Sequence, residues 1–276
     1  MIVSSRFHTI EEEKQMVQEY LSGAPVHVLQ DKYGYKTKKS ITDKVKKYLG
    51  KEAIQIAREN RKDYDIEFNK INSSFNAYFL GLMLTDGYII NENSLGIDLT
   101  DEDCIQFLSK VTGRGYKSYD DPDHNKTRHR LIFASKEVVQ NLARYGVVRN
   151  KSKILGEVSL EEDEERYLPY IIRGIIDGDG CVYATSYGAP AFYICSASET
   201  FIRWIKKVLE NRLYFKELSI SQSEEGLWRI DTADQQNILK LLVIVYDKPY
   251  GMSRKYEFIR KTFRDYNKDN LLIEQL

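Results

Sequence analysis

Two short stretches of the chain combine glycine and aspartate at the same spacing. NAYFLGLMLTDGYI (76–89) and PYIIRGIIDGDGCV (169–182) align 93 residues apart, so that Gly81 matches Gly174 and Asp86 matches Asp179. A glycine inside a helix costs about 1 kcal/mol relative to alanine, and its usual benefit is the close approach of two helices. The repeat therefore predicts two motif helices that pack together through these glycines.

Helices packed in this way would bring Asp86 and Asp179 side by side at their C-terminal ends. Two carboxylates held close together repel each other unless a cation lies between them. Mg²⁺ prefers carboxylate, carbonyl and water oxygens, so the pair predicts a divalent-cation site shared by two halves. A calcium loop beginning at Asp177 is excluded, because the required glycine and glutamate are replaced by Val182 and Gly188.

The elements that must position these aspartates repeat as well. Hydrophobic periodicity predicts helix, two strands, helix, two strands and helix from residue 73, and the same order restarts after a connector at 151–164. A basic, aromatic helix near 253–266 ends the pattern. We therefore expect an α+β fold of two pseudo-symmetric αββαββα half-domains, 73–150 and 165–276. The predicted strands are 88–92, 95–100, 115–119, 129–135, 181–186, 191–197, 218–223 and 227–233.

Residues 1–50 have a different pattern and predict a small all-α domain. Helices are expected at 10–22, 25–34 and 38–49, the last capped by Thr37. Between residues 32 and 51, eight lysines face a single acid, Asp43. The pattern resembles the helix-turn-helix domains of resolvases and transposases, although a three-helix bundle with a solvated lysine face has the same signature. Residues 51–72 are expected to form a linker. The lysines expected to contact DNA are Lys36, Lys38, Lys39, Lys44 and Lys47.

FLGLMLTDG (79–87) and IRGIIDGDG (172–180) resemble the two LAGLIDADG motifs of a single-chain homing endonuclease, and the resemblance covers roughly residues 73–266. It implies that the two sheets form a saddle that binds DNA and that the motif helices pair at the interface between the halves. It also implies two or three Mg²⁺ ions bound by Asp86 and Asp179 with the backbone carbonyls of Thr85 and Gly178. One motif acid is present as Asp177 but is replaced by Leu84 in the first copy.

The resemblance implies further site residues in each half. A basic residue after the last helix of each half would complete each catalytic centre. The candidates are Lys151 and Lys153 in one half, and Arg254 and Lys255 in the other. Asp98 or Asp101, and Ser196 or Ser198, are candidates for positioning water. The candidates for DNA contact on the sheets are Lys117, Arg128, Arg130, Tyr183, Tyr193 and Arg229.

The implied function is Mg²⁺-dependent hydrolysis of phosphodiester bonds by a monomeric, site-specific endonuclease active in intron homing. Its partner would be double-stranded DNA with a long target site, cut on both strands. Two alternatives share the scaffold: a DNA-binding regulator that does not cleave, and an RNA intron maturase, which makes RNA a less favoured partner.

Bulk properties are compatible with this interpretation. The 276 residues include 41 basic and 41 acidic ones, so any DNA-binding surface must be a local patch. Cys104, Cys181 and Cys195 have no CxxC spacing, which indicates neither a zinc site nor a disulfide framework. The chain contains no apolar run of the roughly 20 residues that span a bilayer, and MIVSSRFHTI does not resemble a secretory signal. We therefore expect a cytoplasmic protein that does not enter membranes.

Overall fold

The computed structural model describes residues 8–24, 26–60, 68–247 and 251–268. The chain divides into two compact units. One consists of Met1–Ile66 with Ser109–Gly115, and the other of Glu67–Leu108 with Tyr116–Leu276. No helix among the described residues is both long enough and apolar enough to span a lipid bilayer.

The described residues up to Asn60 form four helices, α1 (Ile10–Leu21), α2 (Val26–Tyr33), α3 (Lys38–Leu49) and α4 (Glu52–Asn60). Thr9 and Glu12 form a capping box at the start of α1, and the Thr37 side chain accepts a hydrogen bond from the Ser40 amide at the start of α3. The four helices share one apolar core, whose larger members are Met16, Tyr20, Leu29, Ile41 and Val45.

Glycines end two elements of this unit. Gly34 (φ +72°) lies in the turn between α2 and α3, and Gly50 (φ +84°) follows α3. Both are in the left-handed region that glycine adopts without steric penalty. The segment predicted as a linker over 51–72 begins with α4, which packs on α1 and α3. Pro25, predicted to start α2, lies outside the described residues.

The second unit contains the two repeated halves, except that residues 109–115, which include the end of α6, fall in the first unit. The first half runs through α5 (Ser74–Leu84), β1 (Gly87–Asn91), β2 (Ser94–Leu99), α6 (Glu102–Thr112), β3 (Lys117–Asp121), β4 (Lys126–Phe133) and α7 (Lys136–Ala143). The second half runs through α8 (Leu168–Asp179), β5 (Gly180–Ala184), β6 (Pro190–Ser196), α9 (Glu199–Asn211), β7 (Ser219–Gln222), β8 (Trp228–Thr232), α10 (Gln235–Lys240), a π-helical turn (Leu241–Val245) and α11 (Ser253–Tyr266).

Each half forms one four-stranded antiparallel sheet, in the order β1-β2-β4-β3 or β5-β6-β8-β7. Alternation along the strands gives each sheet one buried and one polar face. In the first sheet, Ile97 pairs with Leu131 and Leu95 with Phe133 on the buried face. The predicted α+β class and the αββαββα order of both halves are confirmed.

One motif helix ends earlier than its pattern predicts. Helix α5 was expected to reach Asp86 but ends at Leu84, whereas α8 continues to Asp179. The reason is local, because the Thr85 hydroxyl donates to the carbonyls of Gly81 and Leu82 and competes with helical backbone hydrogen bonding.

Candidate functional site

Helices α5 and α8 pack directly against each other at their glycines. A Cβ atom on Gly81 would lie 2.3 Å from the Ile171 carbonyl oxygen and 2.7 Å from the Cα of Gly174. A Cβ atom on Gly174 would lie 2.3 Å from the Tyr78 carbonyl oxygen. The two backbones therefore touch at a point where any side chain would separate them.

The C-terminal ends of the two motifs also meet. A Cβ atom on Gly178 would lie 2.0 Å from Thr85 Oγ1 and 2.9 Å from Asp86 Oδ2. Gly178 thus lies against the end of the first motif, one residue before Asp179. Of the four residues that the resemblance implied as metal ligands, Thr85, Asp86 and Gly178 are in contact, and Asp179 is next in the chain.

The charge of Asp179 acts on Asp86. Burial, and then the nearby charge of Asp179, raise the pKa of Asp86 to about 6, against the opposing effect of nearby lysines. Asp179 is open to solvent on one side, yet the protein packed around it desolvates the carboxylate and raises its pKa as well. Two carboxylates held close together favour binding of a cation, although Lys151 and Lys255 offset part of their charge.

A buried lysine lies at the end of each motif. Lys151, in a short 3₁₀ turn after α7, donates from Nζ to the carbonyls of Thr85 at 3.0 Å and Gly87 at 2.5 Å. The neighbouring candidate, Lys153, is exposed. Burial lowers the pKa of Lys151, while Asp179 and Asp86 oppose that shift.

Lys255, in the first turn of α11, is the counterpart in the second half. Its Nζ lies within hydrogen-bonding distance of four carbonyl oxygens, those of Ile176 (2.8 Å), Asp177 (2.6 Å), Gly178 (3.3 Å) and Gly180 (2.6 Å). The other candidate there, Arg254, is exposed and forms an ion pair with Asp101 at 2.8 Å. Each half therefore supplies one buried ammonium group at the carboxylate pair.

Asp177 is buried and connects the two halves. Its carboxylate accepts hydrogen bonds from Tyr78 Oη (2.9 Å), Tyr246 Oη (2.9 Å) and the Met252 amide (3.2 Å). Arg173 Nε lies 3.8 Å from the same carboxylate, with the guanidinium over the ring of Tyr246. Met252 immediately precedes α11, so this network fixes the segment that carries Lys255. Leu84, in the matching position, has no such role.

The donor chemistry at the aspartate pair suits a hard divalent cation. Asp86 and Asp179 supply carboxylate oxygens, whereas the carbonyls of Thr85 and Gly178 accept hydrogen bonds from Lys151 and Lys255. Within the described ranges, no three His, Cys, Asp or Glu side chains gather to form a complete cage. The remaining ligands would be water and substrate oxygens, which is the usual arrangement for Mg²⁺.

A cavity of about 250 Å³ opens beside Asp86. Basic side chains of the β3–β4 hairpin, among them Lys126 and Arg128, line one side, and Lys255 lines another. Arg128 also lies close enough to lower the pKa of Asp86. The topologically equivalent β7–β8 hairpin of the second half carries Glu224 and Glu225 instead.

The polar face of the first sheet carries several of the predicted DNA contacts. Arg130 forms a bidentate ion pair with Asp98, and Arg128 pairs with Asp121 at 2.7 Å, while Lys117 is exposed. Asp98 was a candidate for positioning water, but its two oxygens accept hydrogen bonds from Arg130, Tyr88 and Tyr119.

The polar face of the second sheet contains the other candidates. The guanidinium of Arg229 lies 3.9 Å from the ring centroid of Tyr193, and its Nε is 3.0 Å from Asp231. The ring of Tyr183 packs on that of Tyr193 at 6.0 Å. Ser198, a candidate for positioning water, instead caps α9 and is buried. Ser196 accepts a hydrogen bond from the Ser198 amide.

In the N-terminal unit, most of the predicted DNA-contacting lysines are exposed. Lys36, Lys38, Lys39 and Lys47 are exposed around α3. Lys44 differs, because it forms an ion pair with Glu13 of α1, which also accepts a hydrogen bond from Tyr48 at 2.7 Å. The charge of Lys44 is therefore balanced by Glu13 within the N-terminal unit.

Comparisons with known proteins give structural neighbours only. No protein-family model and no curated protein matches the chain. Similar solved structures include the LAGLIDADG meganuclease I-AabMI bound to uncleaved DNA, with a TM-score of 0.46, 12% identity and coverage of 70% of this chain and 91% of that one. Mesophilic variants of the homing endonuclease I-DmoI have a TM-score of 0.46 and 15% identity, with coverage of 64% of this chain and 98% of that one. The N-terminal LAGLIDADG domain of DUF199/WhiA has a TM-score of 0.44 and 10% identity, with coverage of 66% of this chain and 87% of that one. No conclusion about function follows at these scores.

Sequence patterns did not reveal the aromatic hydroxyl groups that support the site. Tyr78 and Tyr246 on Asp177, and Tyr88 and Tyr119 on Asp98, come from separate elements. The sequence held one indication of such groups, the motif acid Asp177. A carboxylate within an apolar helix requires buried hydrogen-bond donors.

Proposed function

We propose that this chain is a divalent-cation-dependent endonuclease that hydrolyses both strands of a specific double-stranded DNA site. The observation that carries the proposal is the convergence of Asp86 and Asp179 from duplicated, glycine-packed helices, with one buried lysine at each motif end. A bound divalent cation would supply activation of water and stabilisation of the leaving oxygen.

The residues of the chain have separate roles in this proposal. Asp86 and Asp179 would bind the cation and hold it next to the phosphodiester backbone of the DNA. Lys151 and Lys255 are fixed by backbone carbonyls before substrate binds, so their charges would favour a developing negative charge without reorganisation. Because both halves lie in one chain, a monomer would provide both centres.

Substrate would lie on the polar faces of the two sheets. Antiparallel ribbons fit the major groove, where side chains can contact base edges. We assign Lys117, which is exposed, to the phosphate backbone. The aromatic–arginine stack of Tyr193 and Arg229 belongs to the second half-site.

We further propose that the N-terminal unit binds duplex DNA through α3. Four of the predicted DNA-contacting lysines are exposed around this helix, and a tight turn at Gly34 separates it from α2. Tethering a second binding unit raises the overall affinity without new contacts in the first. Each lysine that neutralises a phosphate should contribute about one unit to the salt slope of binding.

The decisive experiment is Mg²⁺-dependent cleavage of a randomised duplex library by wild type and by Asp86→Asn and Asp179→Asn. We expect wild type to cut both strands of a defined site, and either variant to lose double-strand cleavage while duplex binding remains. Asp163→Asn is the matched control, because its exposed carboxylate pairs with Lys70. Undiminished cutting by Asp86→Asn or Asp179→Asn would refute the proposal.

The same experiment separates the alternatives. Wild type that binds a specific duplex but never cuts it would be a regulator on the same scaffold. Wild type that binds no duplex but promotes splicing of a structured intron RNA would be a maturase.

A further inference from the structure

Helix α11 carries Lys255 in its first turn, and its N-terminal cap comes from the other half of the chain. Among the described residues, the side chain of Met252, just before the helix, forms no capping hydrogen bond. The amide of Ser253, the first residue of α11, instead donates to Oδ2 of Asp103 at 2.9 Å, and the Ser253 hydroxyl donates to the same oxygen. Asp103 lies in the first turn of α6, so the cap is supplied from 150 positions earlier in the chain.

The next residue of α11 is held by a second acid of the first half. Arg254 donates from Nε to Oδ1 of Asp101 at 2.8 Å and from Nη2 to Oδ2 at 3.0 Å. The Asp101 side chain is only 11% exposed, so the acceptor is itself fixed by its surroundings. Two successive residues of α11 are therefore bound to the start of α6.

The backbone just before α11 also packs on the first half. A Cβ atom on Gly251 would lie 2.3 Å from Oη of Tyr78, a residue of α5. Gly251 has a φ of +83°, in the region that favours glycine. The path of the chain into α11 is therefore set by the first half on both sides of Met252.

The position of Lys255 depends on this anchor. Carbonyl oxygens at the end of α8 surround its Nζ, but an ammonium on a flexible four-carbon stem reaches them only when its Cα is correctly placed. The first turn of a helix has amides without intrahelical partners, and it frays. A carboxylate that binds the Ser253 amide and complements the helix dipole opposes that fraying.

We infer that Asp103, assisted by Asp101, is a positioning residue for Lys255, so that the first half of the chain places the lysine of the second motif end. Asp103 acts through the backbone of α11, not through contact with substrate. The inference rests on the proposed hydrolysis of DNA, in which Lys255 stabilises developing charge. Its consequence is that the two centres are not independent, because a change in the first half alters the second centre.

The test measures the cleavage rate of each strand separately, on a labelled duplex that wild type cuts in the randomised library. The full-length variants are Asp103→Ala, Lys151→Met and Lys255→Met. The ratio of the two strand rates is the readout, because a general loss of stability slows both strands alike. Asp103→Ala should slow one strand by about 10- to 100-fold, as expected when a group that orients a functional residue is lost. The ratio should shift in the same direction as in Lys255→Met and away from that of Lys151→Met.

Two conservative changes in the same turn of α6 are the matched controls. Asparagine keeps a side-chain oxygen for the Ser253 amide and is itself a good capping residue, so Asp103→Asn should restore most of the lost rate. The exposed carboxylate of Glu102 accepts a hydrogen bond from Tyr116. Glu102→Gln should therefore keep the wild-type ratio.

Amide hydrogen exchange gives a readout that does not require cutting. The amides of residues 253–256 should exchange roughly 5-fold faster in Asp103→Ala than in wild type, as expected when a helix cap is lost. In Glu102→Gln they should exchange at the wild-type rate.

A wild-type ratio of strand rates in Asp103→Ala would overturn the inference and leave the nuclease proposal intact. Wild type that cuts neither strand would reject the nuclease. Faster exchange in Asp103→Ala would then retain the anchor of α11, and unchanged exchange would reject the anchor as well. If Asp103→Ala fails to fold, Asp101→Ala, which removes the ion pair with Arg254, must shift the ratio in the direction of Lys255→Met.

Discussion

The hydroxyl of Tyr78 donates a 2.9 Å hydrogen bond to the carboxylate of Asp177, across the interface between the two halves. Both side chains are fully buried. Asp177 accepts two further hydrogen bonds, so the carboxylate is shared by α5, α8 and the segment that enters α11. Asp177, which has no counterpart in the first motif, therefore connects both halves to the segment that carries Lys255.

This network predicts unequal costs for its removal. Tyr78→Phe should lower the free energy of unfolding by about 1–2 kcal/mol, since the hydroxyl loses its hydrogen bond to Asp177 and its 3.3 Å contact with Cys104 Sγ. Asp177→Ala should lower it by about 3–5 kcal/mol, because the buried donors lose their acceptor and the buried Arg173 loses its counter-charge. Denaturant unfolding measures both. Tyr116→Phe, whose exposed hydroxyl bonds Glu102, is the control; equal effects of the two tyrosine changes would contradict this assignment.

The glycine contact predicts a steric effect at the helix interface. Gly81→Ala or Gly174→Ala places a Cβ atom 2.3 Å from a backbone carbonyl oxygen of the partner helix, so the helices must separate. Overpacking of this kind costs about 1–3 kcal/mol or more. Gly156→Ala is the matched control, because its Cβ would have no atom within 4 Å. Thermal unfolding should show a loss for the first two variants and little change for the third.

The raised pKa of Asp86 predicts how stability depends on pH without metal. The folded-state pKa, about 6, exceeds the ordinary value of 3.8, so the native state binds more protons than the unfolded state between these values. Stability should therefore fall as pH rises from about 4 to about 6, by on the order of 2 kcal/mol from this group. Unfolding in chelator across this range should show the slope, and Asp86→Asn should reduce it to the part that the raised pKa of Asp179 contributes. An identical slope in both proteins would argue against the assignment.

The two buried lysines predict a loss of rate with retained binding. Lys151→Met or Lys255→Met should reduce cleavage by about 100- to 1000-fold, as expected when one fixed group that stabilises charge is removed. Duplex affinity should change little, because both ammonium groups point at carbonyls of the motif ends. Lys153→Met, at an exposed neighbouring position, should cut normally. Full activity of Lys255→Met would show that Lys255 has no role in catalysis.

Divalent cations provide a readout that does not depend on cutting. Mg²⁺ should raise the melting temperature of wild type, since a ligand bound only by the native state stabilises it. Asp86→Asn and Asp179→Asn should reduce this shift, whereas Asp163→Asn should retain it. An equal shift in all four proteins would indicate binding elsewhere.

The repeated glycine–aspartate spacing was sufficient to predict the central geometry. Periodicity placed the strands of both halves, and the Thr37 cap and Gly50 located α3, because caps and turns are local features of the chain. The family resemblance also limited the proposed basic residue of each half to two neighbouring candidates. Which of them is buried was not predictable, since Lys151 and Lys153 differ only in the direction that a short turn gives them.

The sequence by itself determined the duplication, the order of elements and the pair of acids, since each depends on residues close in the chain. Only the tertiary structure decided which groups surround them. Tyr78 meets Asp177 from 99 positions away, and Lys255 reaches the end of α8 from a helix 75 to 79 positions further along. Burial, not sequence spacing, makes these contacts necessary, because a carboxylate or carbonyl removed from water must find a donor wherever the fold provides one.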